Sequence, residues 1–212
     1  MNAAALAGLL VLALAWLGPL RTLWAGAFWA HMTMHMLVVA GAAPLLATGI
    51  AGTRLDPASR WPSVFAPIPV SLVELVVVWA FHTPLLHHAA RHEPAMLVVE
   101  QGLFLLSGMA LWLSVLGGGR EARLQHGASR VTALLLTSMH MTLLGALLAL
   151  APRALFAHAA HDGSSAMTAL EDQHLGGAIM LVAGMVVYSG GGLWLMAEML
   201  RAPHARREVA PS

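Results

Sequence analysis

The residues of this chain best equipped for chemistry are histidines and methionines set in apolar surroundings. The densest segment is His31-Met32-Thr33-Met34-His35-Met36. His31 and His35 are spaced i, i+4, so on a helix they share one face, about 6 Å apart along the axis. Two imidazoles so placed can meet one metal ion or line one cavity. Met34 flanks that face, whereas Met32 and Met36 share a neighbouring one. Imidazole together with thioether suits Cu(I), a soft ion. The competing reading is a packed helix whose methionines fill gaps and whose histidines bond backbone or water.

Other candidates follow along the chain. In Trp79-Ala80-Phe81-His82-Thr83-Pro84, Pro84 frees the carbonyl of Ala80 from a helix ladder and bends the chain, leaving His82 beside the bend. His92, Met96 and Glu100 recur at i, i+4 and would form a ladder on one helix face. Glu100 falls inside an apolar run, where a carboxylate must be paired, protonated or metal-bound. Of Met139-His140-Met141, at most His140 and one methionine can serve one centre, because neighbours on a helix point about 100° apart. Asp172 and His174 open the last apolar run, where an acid also suits a helix N-terminus.

These side chains need elements to hold them, and the composition says which. Of 212 residues, 58% are hydrophobic and only 10% charged, against roughly a quarter in a soluble domain. A soluble globular protein and a disordered chain are excluded. The net charge of +1 gives no footprint for nucleic acid. All 11 basic residues are arginine, and the chain has 12 histidines, 13 methionines and no cysteine. Disulfides, CxxC chemistry and thiolate sites are therefore ruled out. A nucleophile–base pair, a phosphate loop and an HExxH arrangement are also missing, so no enzymatic activity is expected.

Apolar runs of about 20 residues cross a bilayer as helices. Six are expected: Ala3–Leu20, Thr22–Thr48, Val64–Leu86, Pro94–Leu116, Arg130–Ala151 and Gln173–Leu200. The first lacks a positive n-region and a small-x-small cleavage site, and reads as a retained helix rather than a secretory signal. The expected fold is an all-α, polytopic membrane helix bundle. It forms one domain over residues 1–202, with 203–212 as a short cytoplasmic tail. Arginine counting sets its orientation. One side receives eight arginines (Arg54, Arg60, Arg120, Arg123, Arg130, Arg201, Arg206 and Arg207); the other receives Arg21, Arg91 and Arg153. Both termini are then cytoplasmic. His87, His88, His92, His158 and His161 fall in outer loops, and His31, His82 and His174 in the outer parts of spans. His35 and His140 lie near mid-membrane. Depth counting puts His31, Glu100 and His82 roughly 6, 8 and 10 Å outside the midplane, three groups from three helices in one layer.

In this order the segments resemble the CtaG family of cytochrome c oxidase assembly proteins, from about His31 to Leu200. The paired-histidine segment followed by Ala43-Pro44-Leu45-Leu46 resembles the family's His helix and Pro-Leu-Leu exit. Phe81-His82-Thr83-Pro84 is similar to its Trp-His-x-Pro. Leu143-Leu144-Gly145-Ala146-Leu147-Leu148 with Ala151-Pro152 is similar to its Gly-Ala-Leu helix. Asp172-Gln173-His174-Leu175-Gly176-Gly177-Ala178-Ile179-Met180 is similar to its Asp-Gln-x-x-x-Gly-x-x-Met stretch. Departures are Phe81 for Trp, Gln101 where a His is expected after an acid, Leu181 for Trp, and one span fewer than many members.

The resemblance implies a factor of the bacterial cytoplasmic membrane that assembles a haem-copper oxidase by helping copper reach its catalytic subunit, with a periplasmic copper carrier as a further partner. The residues agree in direction, since their ligands face outward. The expected metal ligands are His31 and His35 first, His82 and Glu100 completing or gating the site, and His140, Asp172 and His174 behind them. Met34, His92 and Met96 form the expected relay. Three alternatives stay open. His35 and His140, at similar depth on different helices, could ligate a haem. The His92–Met96–Glu100 ladder could serve a metal-ion transporter. The histidines could also be helix–helix hydrogen-bonding groups of a metal-free scaffold.

Overall fold

The structure, a computed structural model, describes residues 2–20, 23, 27–156 and 167–207. His158, His161, Arg21 and the end of the tail lie outside the described residues, which contain helices and no strand. In chain order the helices are α1 (Ala3–Leu17), α2 (Phe28–Ile50), α3 (Pro57–Arg60), α4 (Pro67–Phe81), α5 (Pro84–His92), α6 (Pro94–Leu116), α7 (Gly119–Gln125), α8 (Gly127–Ala149) and α9 (Ala169–Arg207).

Proline sets several of the starts. Pro57, Pro67, Pro84 and Pro94 each open a helix, where the missing N–H costs nothing and φ is already helical. At Pro84 the effect goes beyond the expected kink. The α4 ladder stops at Phe81, and α5 leaves at 71°. The Ala80 carbonyl, which Pro84 cannot satisfy, accepts both Thr83 N–H (3.0 Å) and Thr83 Oγ1 (2.7 Å).

Among the described residues, α2, α6, α8 and α9 are long and apolar enough to cross a membrane, and the bent pair α4–α5 makes five. The expectation of six counts Ala3–Leu20 as a span. Its helix, α1, has only 15 residues, about 23 Å at 1.5 Å per residue against a hydrocarbon core of about 30 Å. The third expected span is the other departure, since its end turns away as α5.

α2 is central, packing on α1, α6 and α9. Just after His35 its ladder widens into a π-helical stretch, Leu37–Ala42. The Val39 carbonyl there accepts from Trp112 Nε1 of α6 (3.3 Å) and Tyr188 Oη of α9 (3.4 Å). Tyr188 Oη and Thr137 Oγ1 also lie 3.2 and 3.1 Å from the Glu74 carboxylate, linking α9, α8 and α4. The apolar core around this strut holds Phe28, Met32, Met34, Met36, Phe104, Met141 and Met180. Met34 of the expected relay is buried in this core, and Met96 is half-buried against it.

α8 and α9 lie unusually close. A Cβ on Gly145 would come 2.6 Å from Leu181 N, and one on Gly177 2.5 Å from Ala149 N. Only glycine admits that approach, as in small-residue membrane interfaces.

At the end of the bundle remote from His31 and His35, buried Asp56 gathers four donors. These are the N–H groups of Gly52 (2.9 Å), Ala58 (3.0 Å) and Gly118 (3.0 Å), and Ser59 Oγ (2.9 Å). Burial pushes the Asp56 carboxyl up, but the hydrogen bonds from Gly52, Gly118, Ser59 and Ala58 outweigh it and hold the group below its ordinary value. Nearby, Arg130 Nη1 donates to the Val115 and Gly117 carbonyls at 2.6 and 3.0 Å, closing the end of α6.

Candidate metal centre

Opposite that end, four elements bring histidines and a carboxylate together. α2 supplies His31 and His35, the α4–α5 bend His82, α5 His87, and α6 Glu100. All five are at least nine-tenths buried. One ligand atom each from His31, His87 and Glu100 lie within 4.8 Å of one another. The rings of His31 and His87 stand 4.8 Å apart and nearly perpendicular, at 83°. The chain of imidazoles continues from His31 to His82 (6.0 Å) and from His82 to His35 (5.3 Å). Of His31, Glu100 and His82, expected to share one layer, His31 and Glu100 bring ligand atoms within 4.8 Å, and the His82 ring stands 6.0 Å from that of His31.

The tautomer of His82 follows from its partner. Nδ1 lies 2.6 Å from the Val78 carbonyl. A carbonyl only accepts, so Nδ1 carries the proton and Nε2 keeps its lone pair. That Nε2 has no hydrogen-bond partner among the described residues, and neither do Glu100 Oε1 or the ring nitrogens of His35 and His140. Buried polar atoms are nearly always satisfied, and exceptions call for an explanation such as a bound ion or water. Imidazole nitrogens with a carboxylate oxygen suit copper, zinc, iron or nickel, so the donor set fits a metal.

The surroundings position Glu100. Its Oε2 accepts Gln101 Nε2 at 3.2 Å, and Gln101 Oε1 accepts Trp16 Nε1 of α1 at 3.1 Å. Gln101, which stands where a ligand histidine was expected, thus orients the carboxylate. Over the other side, Phe28 and Phe156 stack at 4.6 Å, with His87 4.6 Å from Phe156 and 5.5 Å from Phe28. These rings close the cluster with apolar surface.

Other expected ligands are placed differently. His35 lies outside the 4.8 Å group, against Phe104 at 4.2 Å and His82. His140 is buried on α8. Asp172 accepts the backbone N–H groups of Phe28 (2.7 Å) and Trp29 (2.9 Å), and so engages both its oxygens at the start of α2. His174 Nε2 sits 2.9 Å from the Ala151 carbonyl. Between them, Gln173 Oε1 accepts Leu155 N–H at 2.6 Å, and Gln173 Nε2 donates to the Leu148 carbonyl at 3.2 Å. The Asp172-Gln173-His174 run therefore fastens backbone around the cluster. His92 belongs to α5, not α6; the chain is extended at Glu93. The His92–Met96–Glu100 ladder is broken there, and His92 is exposed beside His88.

His87 is the residue that sequence reasoning missed, placing it in an outer loop. A signal was present. Thr83 followed by Pro84 is a helix start, the next proline is Pro94, and in the helix between them His87 and Ala90 share the buried face.

The model of a known family, cytochrome c oxidase caa3 assembly factor (Caa3_CtaG), matches residues 2–202. No curated protein and no solved structure matches the chain.

Proposed function

Because the chain belongs to the cytochrome c oxidase caa3 assembly factor (Caa3_CtaG) family, we propose that it serves oxidase assembly by holding copper within the membrane and passing it to the oxidase catalytic subunit. The observation that carries this reading is the convergence of His31, His87 and Glu100 within 4.8 Å from three helices. Copper here is cargo. With no cysteine in the chain, it is held by imidazole and carboxylate, which bind less tenaciously than thiolate and suit a site that must release its ion. Glu100 supplies the compensating negative charge. His82, whose free Nε2 lies on the next ring, and then His35 offer successive positions for the ion. His140, Asp172 and His174 support the site rather than form it.

In this reading the protein is a multi-pass protein of the bacterial cytoplasmic membrane, with cytoplasmic termini. Its histidine end faces a periplasmic copper carrier, and it acts without catalysis of its own. The haem alternative needs His35 and His140 on opposite faces of a porphyrin, yet His35 packs ring to ring on Phe104 and His82. The transporter alternative loses its ladder at Glu93.

Elemental analysis and an optical spectrum of the detergent-purified full chain test the proposal, wild type against His31→Ala/His87→Ala. Copper in the wild type and its loss from the double variant are expected. Equal copper in both overturns the ligand assignment, and a Soret band in the wild type overturns the copper reading in favour of haem.

A further inference from the structure

α5 has two histidine faces, and the function proposed above uses only one. His87 and Ala90 are buried, whereas His88 and His92 are exposed. His88 and His92 are one helical turn apart, with ring centroids 4.2 Å apart and an interplanar angle of 43°. Two imidazole nitrogens that bind one ion each sit about 2 Å from it, so rings at this separation can converge on a single ion with little movement. The exposed side leaves room for water or a donor's own ligands to complete the coordination. The adjacent residue, His87, points about 100° away around the helix and into the buried centre. One short helix, set at 71° to α4, therefore carries an open imidazole pair on its outer face and a ligand of the closed centre on its inner face. Arg91, the cation on this helix, is half-buried.

We propose that His88 and His92 form a surface capture site for a first-row divalent ion, Cu2+ above all, which feeds the His31–His87–Glu100 centre. The inference rests on that centre being a metal site, but it assigns a second, separate one. The bland role of the pair is a favourable interaction with the C-terminal end of α5, and that role would bind no metal.

The test is Cu2+ binding to the untagged, detergent-purified full chain by equilibrium dialysis, with the rate of loading followed separately. The wild type is expected to bind two ions. His88→Ala/His92→Ala, which removes only exposed side chains, is expected to bind one and to load it at least about tenfold more slowly, because a donor on the same helix acts at a high effective concentration. His88→Gln/His92→Gln should behave alike, and unchanged thermal unfolding shows that the fold is kept. Variants that bind and load Cu2+ like the wild type overturn the capture site and leave the buried centre standing. If instead His31→Ala/His87→Ala keeps both ions while the surface variant loses one, the buried centre fails and the capture site stands.

Discussion

The carboxylate of Asp172 caps the helix that begins at Phe28, taking the N–H groups of Phe28 and Trp29 across 144 and 143 residues of sequence. Ala27, at the N-cap position itself, has no side chain able to accept them. The first turn of α2 leads directly to His31, so the last helix fixes the rotation and height at which the first histidine enters the cluster.

Replacing Asp172 should therefore act on the proposed metal centre from a distance. Asp172→Ala should cost about 0.5–2 kcal/mol, the worth of a helix N-cap, and lower copper affinity. Asp172→Asn, with one acceptor oxygen for two donors, should fall between. Thermal unfolding in detergent and copper titration read the two effects. Full copper affinity in Asp172→Ala would show that α2 is positioned by other contacts.

Gln101 is a positioning residue for Glu100 through the Trp16–Gln101–Glu100 chain of hydrogen bonds. Groups that orient metal ligands are typically worth about 10–100-fold in affinity. Gln101→Leu should weaken copper binding by that order, while Gln101→Glu, which keeps an acceptor for Trp16 but sets a second carboxylate beside Glu100, should move the pH dependence of binding. A purely structural Gln101 would shift the melting temperature and leave both binding readouts unchanged.

The glycine contact between α8 and α9 separates packing from function. In Gly177→Ala the new methyl would lie 2.5 Å from Ala149 N and 2.8 Å from the Gly145 carbonyl oxygen. Backbone cannot step aside cheaply, so a loss of about 1–3 kcal/mol is expected. Gly102→Ala, where a Cβ would meet nothing within 4 Å, should be tolerated. The pair is compared by thermal unfolding in one detergent, and equal behaviour would contradict the close approach.

Asp56 gives a pH signature at the other end of the bundle. Its folded-state pKa lies below the unfolded value, which is near 4. Its contribution is thus complete above about pH 4 and is lost as pH falls through the folded-state value. Asp56→Asn should be less stable than the wild type at neutral pH by at least about 1.5–3 kcal/mol, the range for one hydrogen bond to a charged group. The gap should close in acid. A gap that stays constant from neutral pH to below pH 4 would show that the carboxylate charge contributes nothing.

Much of this protein is written in its sequence. Apolar runs and scarce charge dictate membrane helices, and prolines mark where α3, α4, α5 and α6 begin. Helical spacing and depth put His31, His82 and Glu100 in one layer, because rise per residue is fixed by the backbone. Spacing could not say how each helix is rotated against its neighbours. That rotation separates His31, which meets His87 and Glu100, from His35, which meets His82 and Phe104. Nor could it say that the chain after His82 turns by 71° and lays His87 into the centre; the segment is too short and too polar to register as a span. The roles of Asp172 and Gln101 depend on partners 144 and 85 residues away. Local pattern fixes which atoms are available and at what depth. Only the packed bundle decides which of them share one small volume, because that choice is made by contacts between segments far apart in the chain.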